Sequence, residues 1–421
     1  MRTLRSYVCG RWHEATDRFA TVTDPSTEEP IARVSSDGID FAEVLSHARE
    51  VGGPALRAMT YGERAAALKA LSKALYERRD ELLDLSIAST GTTRKDAKFD
   101  VDGATGTLAY YAGLGAPLGE ARVLLDGEGE ALGRSARFWG QHVLVPRQGV
   151  AVLVNAFNFP AWGFGEKAAA ALLAGMPVVV KPATSTAWLT ERCLEILIEA
   201  RILPEGALQI VCGSTGDLLD RLGPQDVLAF TGSAATALKL RSAENLLRNS
   251  TRVNVEADSL NAAVLGADVE PGSETWDLFV HEVVREMTQK SGQKCTAVRR
   301  VFVPRERVGE VRAAIADRLG AVVTGNPADP SVTMGPLATG SQLRDAIDGV
   351  ARLAEVGKIV FGTGQRIDGV GAPGGKGYYF GPTLLEASDA AEATVAHELE
   401  VFGPVATLLP YDGPTSGTAP L

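Results

Sequence analysis

Cysteine and histidine are both scarce in this chain, four and five among 421 residues. No two of Cys9, Cys193, Cys212 and Cys295 have the close spacing of a zinc knuckle or a redox dithiol, and the histidines are equally scattered. The sequence therefore predicts no metal site. Basic runs are also missing. No Lys/Arg stripe suits a nucleic-acid groove, and a formal charge of −10 opposes binding to a polyanion. An anionic small ligand stays admissible, because a basic pocket can sit inside an acidic surface. No uncharged apolar run approaches membrane-spanning length. The opening "MRTLRSYVCGRWHEA" lacks the apolar stretch of a secretory signal. These absences predict a cytoplasmic protein with reduced thiols and neither a nucleic-acid nor a membrane partner.

What remains is ordinary for a soluble protein: 45% hydrophobic, 22% charged, with 45 glycines that suit tight strand–helix turns. The length allows two domains with separate cores. Residues 40–122 read as helical, with a capping box at Thr60 and Glu63 ahead of Leu68, Leu71 and Leu75 at helical spacing. "VLLDGEGEALG" (123–133) reads as a polar break, and 136–154 as two strand-like runs separated by Pro146 and Gly149. From residue 150 apolar runs alternate with helical stretches: 150–155, 177–181, 208–211, 227–231 and 252–256 are the strands. Strands buried on both faces and alternating with helices indicate an α/β fold with a doubly wound, Rossmann-like parallel sheet. Ligands then belong at the carboxyl ends of its strands. A second α/β region begins near residue 259. "GVGAPG" (369–374) matches a dinucleotide fingerprint but has no helix behind it, so it reads as a surface loop.

Cys295 lies in "SGQKCTAVRR", polar and flexible company for a thiol. A lone cysteine is more often structural than reactive, and Cys9, Cys193 and Cys212 fit that description, in a terminal hairpin, a helix and a strand end. Cys295 does not. Three groups at strand ends complement it. Asn158 in "NAFNFP" offers an amide to an oxyanion. Glu256 in "VNVEADS" is either a general base or a solvated charge. Lys181 in "VVVKPAT" suits a phosphate or ribose hydroxyl, or is a plain surface charge.

Six short motifs occur in order: "FNFP" (157–160), "KPAT" (181–184), "FTGSA" (230–234), a strand-end Glu256, "GQKC" (292–295) and "EVFGPV" (400–405). Together they resemble the aldehyde dehydrogenase superfamily over essentially the whole chain. "EADSLN" (256–261), "FTGSAAT" and "VVREMTQKSGQKCTAVRR" are similar to one branch of it. That branch contains the dehydrogenase part of a bifunctional phenylacetate-degradation protein and a relative from the benzoate-CoA pathway, both acting on CoA-bound semialdehydes.

The resemblance implies the family's architecture: a cofactor domain (1–130 and 148–258), a β-hairpin oligomerisation arm (131–147) and a catalytic domain (259–410). It implies Cys295 as nucleophile, Asn158 and the Cys295 N–H as oxyanion donors, Glu256 as the base that activates water, and Lys167 in support. Cofactor contacts fall on Lys181, Thr184, Gly213, Thr231, Gly232, Ser233, Glu400 and Phe402. NAD-preferring members often carry Glu at position 184; Thr184 would accept a 2′-phosphate, which predicts NADP over NAD. The expected substrate is an acyl-CoA ω-semialdehyde. A CoA-acylating dehydrogenase and an inactive member of the fold remain alternatives. Family members usually continue beyond "EVFGPV" with a strand that pairs with a neighbouring subunit. The chain stops soon after it, so the catalytic domain is expected to be incomplete, with a disordered tail at 411–421. Homo-oligomers are expected where that further segment is present.

Overall fold

The computed structural model describes residues 1–412. The expected disordered tail lies, from residue 413 on, outside the described residues. Tyr411, placed in that tail by the sequence, instead closes the strand Val405–Tyr411, where its hydroxyl donates to the Leu265 carbonyl at 2.6 Å.

Two compact units interleave along the chain. The first comprises Met1–Val22, Ala32–Leu83 and Lys98–Glu256. Its seven-stranded sheet runs, in spatial order, Arg252–Ala257, Val227–Gly232, Ala151–Val154, Val178–Lys181, Leu208–Ile210, Ser6–Val8 and Arg11–His13. The strands from Val227–Gly232 to Leu208–Ile210 pair in parallel, and the N-terminal hairpin adds an antiparallel edge. Val152, Val179 and Leu228 are fully buried among Val44, Leu45 and Leu218. Each such side chain contributes about 1.5–3 kcal/mol relative to exposure. The pairings Val154↔Lys181 and Phe230↔Val154 align the carboxyl ends of three neighbouring strands. The loops beginning at Asn155, Pro182 and Ser233 therefore leave one edge of the sheet.

The helices over 41–118 form as their spacing predicts. Helix Tyr61–Glu77 starts with the expected reciprocal cap: Glu63 N–H donates to Thr60 Oγ1 at 3.1 Å, and Thr60 N–H to Glu63 Oε2 at 2.7 Å. The stretch 123–133, expected as a break, is instead largely the strand Leu124–Ala131, paired antiparallel with Trp139–Leu144. A bulge between Asp126 and Glu130, with Gly127 at φ +71°, lets this glycine-rich acidic stretch stay in the ladder. Leu125, Trp139 and Leu144 on this hairpin are exposed.

The second unit comprises Thr23–Ile31, Asp84–Ala97 and the chain from Ala257 onward. Its five-stranded sheet runs Asn261–Val264, Val298–Pro304, Val405–Tyr411, Thr383–Ala387 and Gly357–Phe361, with only the last pairing antiparallel. Alternation along the central strand serves two cores. Ala406 and Leu408 pack with Trp276, Val280 and Ile315, whereas Val405 and Leu409 pack with Leu343, Val350 and Phe380. The 369–377 segment is a loop, and no helix follows it before Thr394–Glu398. Among the described residues no helix is long and apolar enough to cross a membrane.

Replacing Thr60 by Ala removes one half of the cap and should cost about 1 kcal/mol of stability. A chemical denaturation midpoint equal to that of the wild type would contradict this.

Candidate active site

In the first unit, the loop bearing Asn158 follows the strand Ala151–Val154 and is held by buried groups. Asp100 is fully buried and accepts from the backbone N–H groups of Trp162, at 2.8 Å, and Ala161, at 3.3 Å. Phe99, Phe159 and Trp162 meet edge to face with ring centroids 5.3–5.6 Å apart, an arrangement that adds to area burial. Thr190 Oγ1 donates to the Pro160 carbonyl at 2.8 Å. Asn158 is thus on a rigid turn, half-buried. Lys167, on helix Trp162–Leu173, gives its ammonium to Glu166 at 2.8 Å and to the Gly163 carbonyl at 3.4 Å.

Lys181 is no surface charge. It is 8% exposed, and its ammonium donates to the Pro182 carbonyl. Burial pushes its pKa down, with the Cys212 thiol pulling weakly the other way. Thr184 opens a 3₁₀ turn, Thr184–Thr186, and is half-buried. Thr231 Oγ1 is buried with no hydrogen-bond partner among the described residues. Ser233 caps the helix Ala234–Arg241, accepting from Thr236 N–H at 3.4 Å, and is exposed. Gly213 is buried at φ +126°; a Cβ there would lie 2.4 Å from the Ser36 nitrogen, so the backbone packs closely at this position. Glu256 is exposed near the end of the strand Arg252–Ala257. Among the described residues, a buried ammonium without a carboxylate and an orphaned hydroxyl, on the two strands that flank Ala151–Val154, suit a ligand rich in hydroxyl and phosphate oxygens. That chemistry fits a dinucleotide.

In the second unit, Cys295 sits half-buried in the turn before the strand Val298–Pro304. Its backbone is fixed from two sides. The Cys295 carbonyl accepts from Asn261 Nδ2 at 2.6 Å and from Ser259 Oγ; Asn261 also reaches the Ala297 carbonyl at 3.1 Å. Upstream, Lys290, Ser291 and Gly292 all have positive φ, 52°, 55° and 68°. Two consecutive non-glycine residues there are strained, at about 1–3 kcal/mol each. Ser291 Oγ donates to the Gly335 carbonyl at 2.8 Å, and Lys294 pairs with Glu286 at 2.6 Å. Gly292 is required sterically as well: a Cβ would lie 2.1 Å from the Gly403 carbonyl oxygen.

Glu400 and Phe402 occupy that facing segment. Glu400 Oε2 accepts from Ser259 N–H at 2.9 Å, and Oε1 accepts from Arg299 at 3.3 Å. Burial raises the Glu400 carboxyl pKa, opposed by the Arg299 guanidinium. Arg299 lies with its guanidinium carbon 5.6 Å from the Phe402 ring centroid. Ser259, Asn261 and Arg299 were not singled out by sequence reasoning. The signal available was local: Ser259 and Asn261 stand in "EADSLN", where many family members carry a Leu-Gly-Gly-Lys type run.

The Cys295 turn before a strand of the second unit and a buried lysine at the carboxyl end of a parallel strand of the first follow the motif order. The family model for the aldehyde dehydrogenase family aligns with residues 12–416. The chain belongs to the aldehyde dehydrogenase family. It is 48% identical over 408 residues to 3,4-dehydroadipyl-CoA semialdehyde dehydrogenase of Aromatoleum evansii, covering 97% of this chain and 79% of that protein. Lactaldehyde dehydrogenase of Escherichia coli superposes with a TM-score of 0.82 at 25% identity, over 97% of this chain and 82% of its own. Betaine aldehyde dehydrogenase of Staphylococcus aureus in complex with NAD+ gives 0.82 at 23% identity, over 97% of this chain and 78% of its own, a likeness of fold. As a family member the chain is an NAD(P)-dependent oxidoreductase. Among the described residues no group of three or more His, Cys, Asp or Glu side chains is placed to hold a metal.

The thiols differ in a way that can be read chemically. Cys193 and Cys212 are buried, and burial pushes both thiols far up. The Cys9 thiol is pushed up to about 11 by burial and then by Glu43. Iodoacetamide at pH 8 should alkylate Cys295 first, because the thiolate is the reactive form. Peptide mapping showing equal labelling of Cys9 or Cys193 would contradict this.

Proposed function

We propose that the enzyme oxidises an acyl-CoA ω-semialdehyde to the carboxylic acid, with Cys295 as nucleophile and NADP as the preferred cofactor. The observation behind it is the Cys295 turn: a half-buried thiol whose backbone is fixed by two side-chain donors and a strained approach. Such fixation is what attack in a defined direction requires. Family membership and the substrate named for the Aromatoleum evansii relative support the same reading.

The Cys295 thiolate attacks the aldehyde carbon, forming a C–S bond and moving the carbonyl electron pair to oxygen. The Asn158 amide and the Cys295 N–H donate to that oxyanion. A bound dinucleotide would supply the acceptor for the hydride of the thiohemiacetal carbon. Glu256, exposed at its strand end, accepts a proton from water as the water adds to the resulting thioester. Collapse releases the acid and returns the thiol. Lys181, Thr184, Gly213, Thr231, Gly232, Ser233, Glu400 and Phe402 would hold the dinucleotide, and Lys167 has a supporting role near the catalytic site. Thr184 beside the buried Lys181 puts a hydroxyl where a carboxylate would repel a 2′-phosphate, which favours NADP. The exposed apolar side chains of the hairpin Leu124–Ala131 and Trp139–Leu144 support assembly into homo-oligomers.

Single-turnover assays test this directly. Wild-type enzyme with a CoA-linked semialdehyde, without free CoA, should show a burst of reduced cofactor that Cys295→Ala abolishes, larger with NADP than with NAD. Glu256→Gln should keep the burst and lose steady turnover. Asn158→Ala should slow the burst by about 10²–10³-fold, equivalent to about 2.7–4 kcal/mol. Turnover that strictly requires free CoA would replace hydrolysis by CoA acylation.

A further inference from the structure

The Arg299 guanidinium is an unusual investment for this site. The side chain is 4% exposed, and burial pulls its pKa down against the stabilising charge of Glu400. An ion withdrawn from water this far costs several kcal/mol unless its donors are met. Among the described residues Nε finds no partner, and both terminal nitrogens are met by two separate segments. Toward the nucleophile turn, Nη2 donates to the Gly292 carbonyl at 2.7 Å and the Lys294 carbonyl at 3.4 Å. Toward the facing segment, Nη1 donates to the Gly403 carbonyl at 2.7 Å and Nη2 to Glu400 Oε1 at 3.3 Å.

The bonds close a circuit. Arg299 holds Glu400, Glu400 accepts from Ser259 N–H, Ser259 Oγ donates to the Cys295 carbonyl, and the chain leads back through Lys294 to Arg299. The strands behind the two segments pair in parallel, Arg300 opposite Thr407, so both segments enter at the same sheet edge. A lysine could supply the charge but not a planar fork that reaches both sides at once. The Arg299 and Cys295 charges also interact, in the sense that favours a thiolate.

We propose that Arg299 is a positioning residue that clamps the Cys295 turn to the Glu400–Phe402 segment, so that one guanidinium aligns the nucleophile with the cofactor-ribose carboxylate. This rests on the proposed roles of Cys295 and Glu400 and adds a residue that acts through both. The clamp explains why three left-handed residues can persist ahead of the nucleophile: the Gly292 carbonyl is tied down at the end of that run.

The test uses Arg299→Lys, Arg299→Met, Glu400→Gln and the double variant Arg299→Lys with Glu400→Gln. Dinucleotide Kd is titrated without aldehyde, the burst rate is measured with it, and Cys295 alkylation is followed against pH with neither. Arg299→Lys should fold with a thermal midpoint near that of the wild type. It should weaken dinucleotide binding several-fold, slow the burst at least tenfold, and leave the alkylation profile near wild type, since charge is retained. Arg299→Met should move that profile to higher pH. Adding Glu400→Gln to Arg299→Lys should cost little more than Arg299→Lys alone. Wild-type Kd and burst in a folded Arg299→Lys would overturn the proposal, as would multiplicative effects in the double variant. Failure of Arg299→Lys to fold would also overturn it, making the guanidinium a stability element. If wild-type enzyme itself binds no dinucleotide or shows no burst, the parent reading fails, and the alkylation arm still reports on Arg299.

Discussion

Burying a polar group costs free energy unless it finds a partner, and this constraint shapes the region around Cys295. A reactive thiol needs polar company, which an apolar sheet edge does not supply unaided. The second unit meets that demand with side chains that bond to main-chain carbonyls: Asn261 to Cys295 and Ala297, Ser291 to Gly335, Arg299 to Gly292 and Gly403. Carbonyls so engaged cannot drift, and the backbone that bears the thiol inherits their fixity. The sheet behind provides the anchor, since the strands Val298–Pro304 and Val405–Tyr411 are tied along Arg300↔Thr407 to Pro304↔Tyr411.

The first unit solves the same problem by a different route. Its Asn158 loop is held by a buried carboxylate and three aromatic rings. At the carboxyl ends of parallel strands, by contrast, the Lys181 ammonium donates to the adjacent Pro182 carbonyl, and Thr231 Oγ1 has no partner among the described residues. Polar groups are thus under-satisfied at the sheet edge of the first unit, whereas the backbone around Cys295 in the second is over-determined.

Much of the sheet was legible in the sequence because strands buried on both faces appear as unbroken apolar runs. The predicted 177–181 and 227–231 correspond to Val178–Lys181 and Val227–Gly232. The cap at Thr60 was legible because both partners lie within four residues. The strand Leu124–Ala131 was not, since its ladder depends on Trp139–Leu144 while its own composition reads as a loop. Arg299 was hidden for a related reason. "RR" before an apolar strand looks like solvated charge, and its partner Glu400 lies 101 positions away. Lys181 shows the same limit: sequence could not decide between surface and interior, and packing placed it inside.

Lys290 and Ser291 adopt the mirror-image backbone twist to the helix Glu274–Thr288 that precedes them. The change of hand means that the Cys295 turn cannot be shifted by extending or unwinding that helix one residue at a time. Any such slide would have to invert two residues at once. What ties helix to thiol is instead a side-chain strut, Lys294 reaching back to Glu286 on the helix at 2.6 Å. The same reversal makes these two positions hostile to β-branched side chains and tolerant of asparagine or glycine, a filter on substitution set by handedness rather than by chemistry.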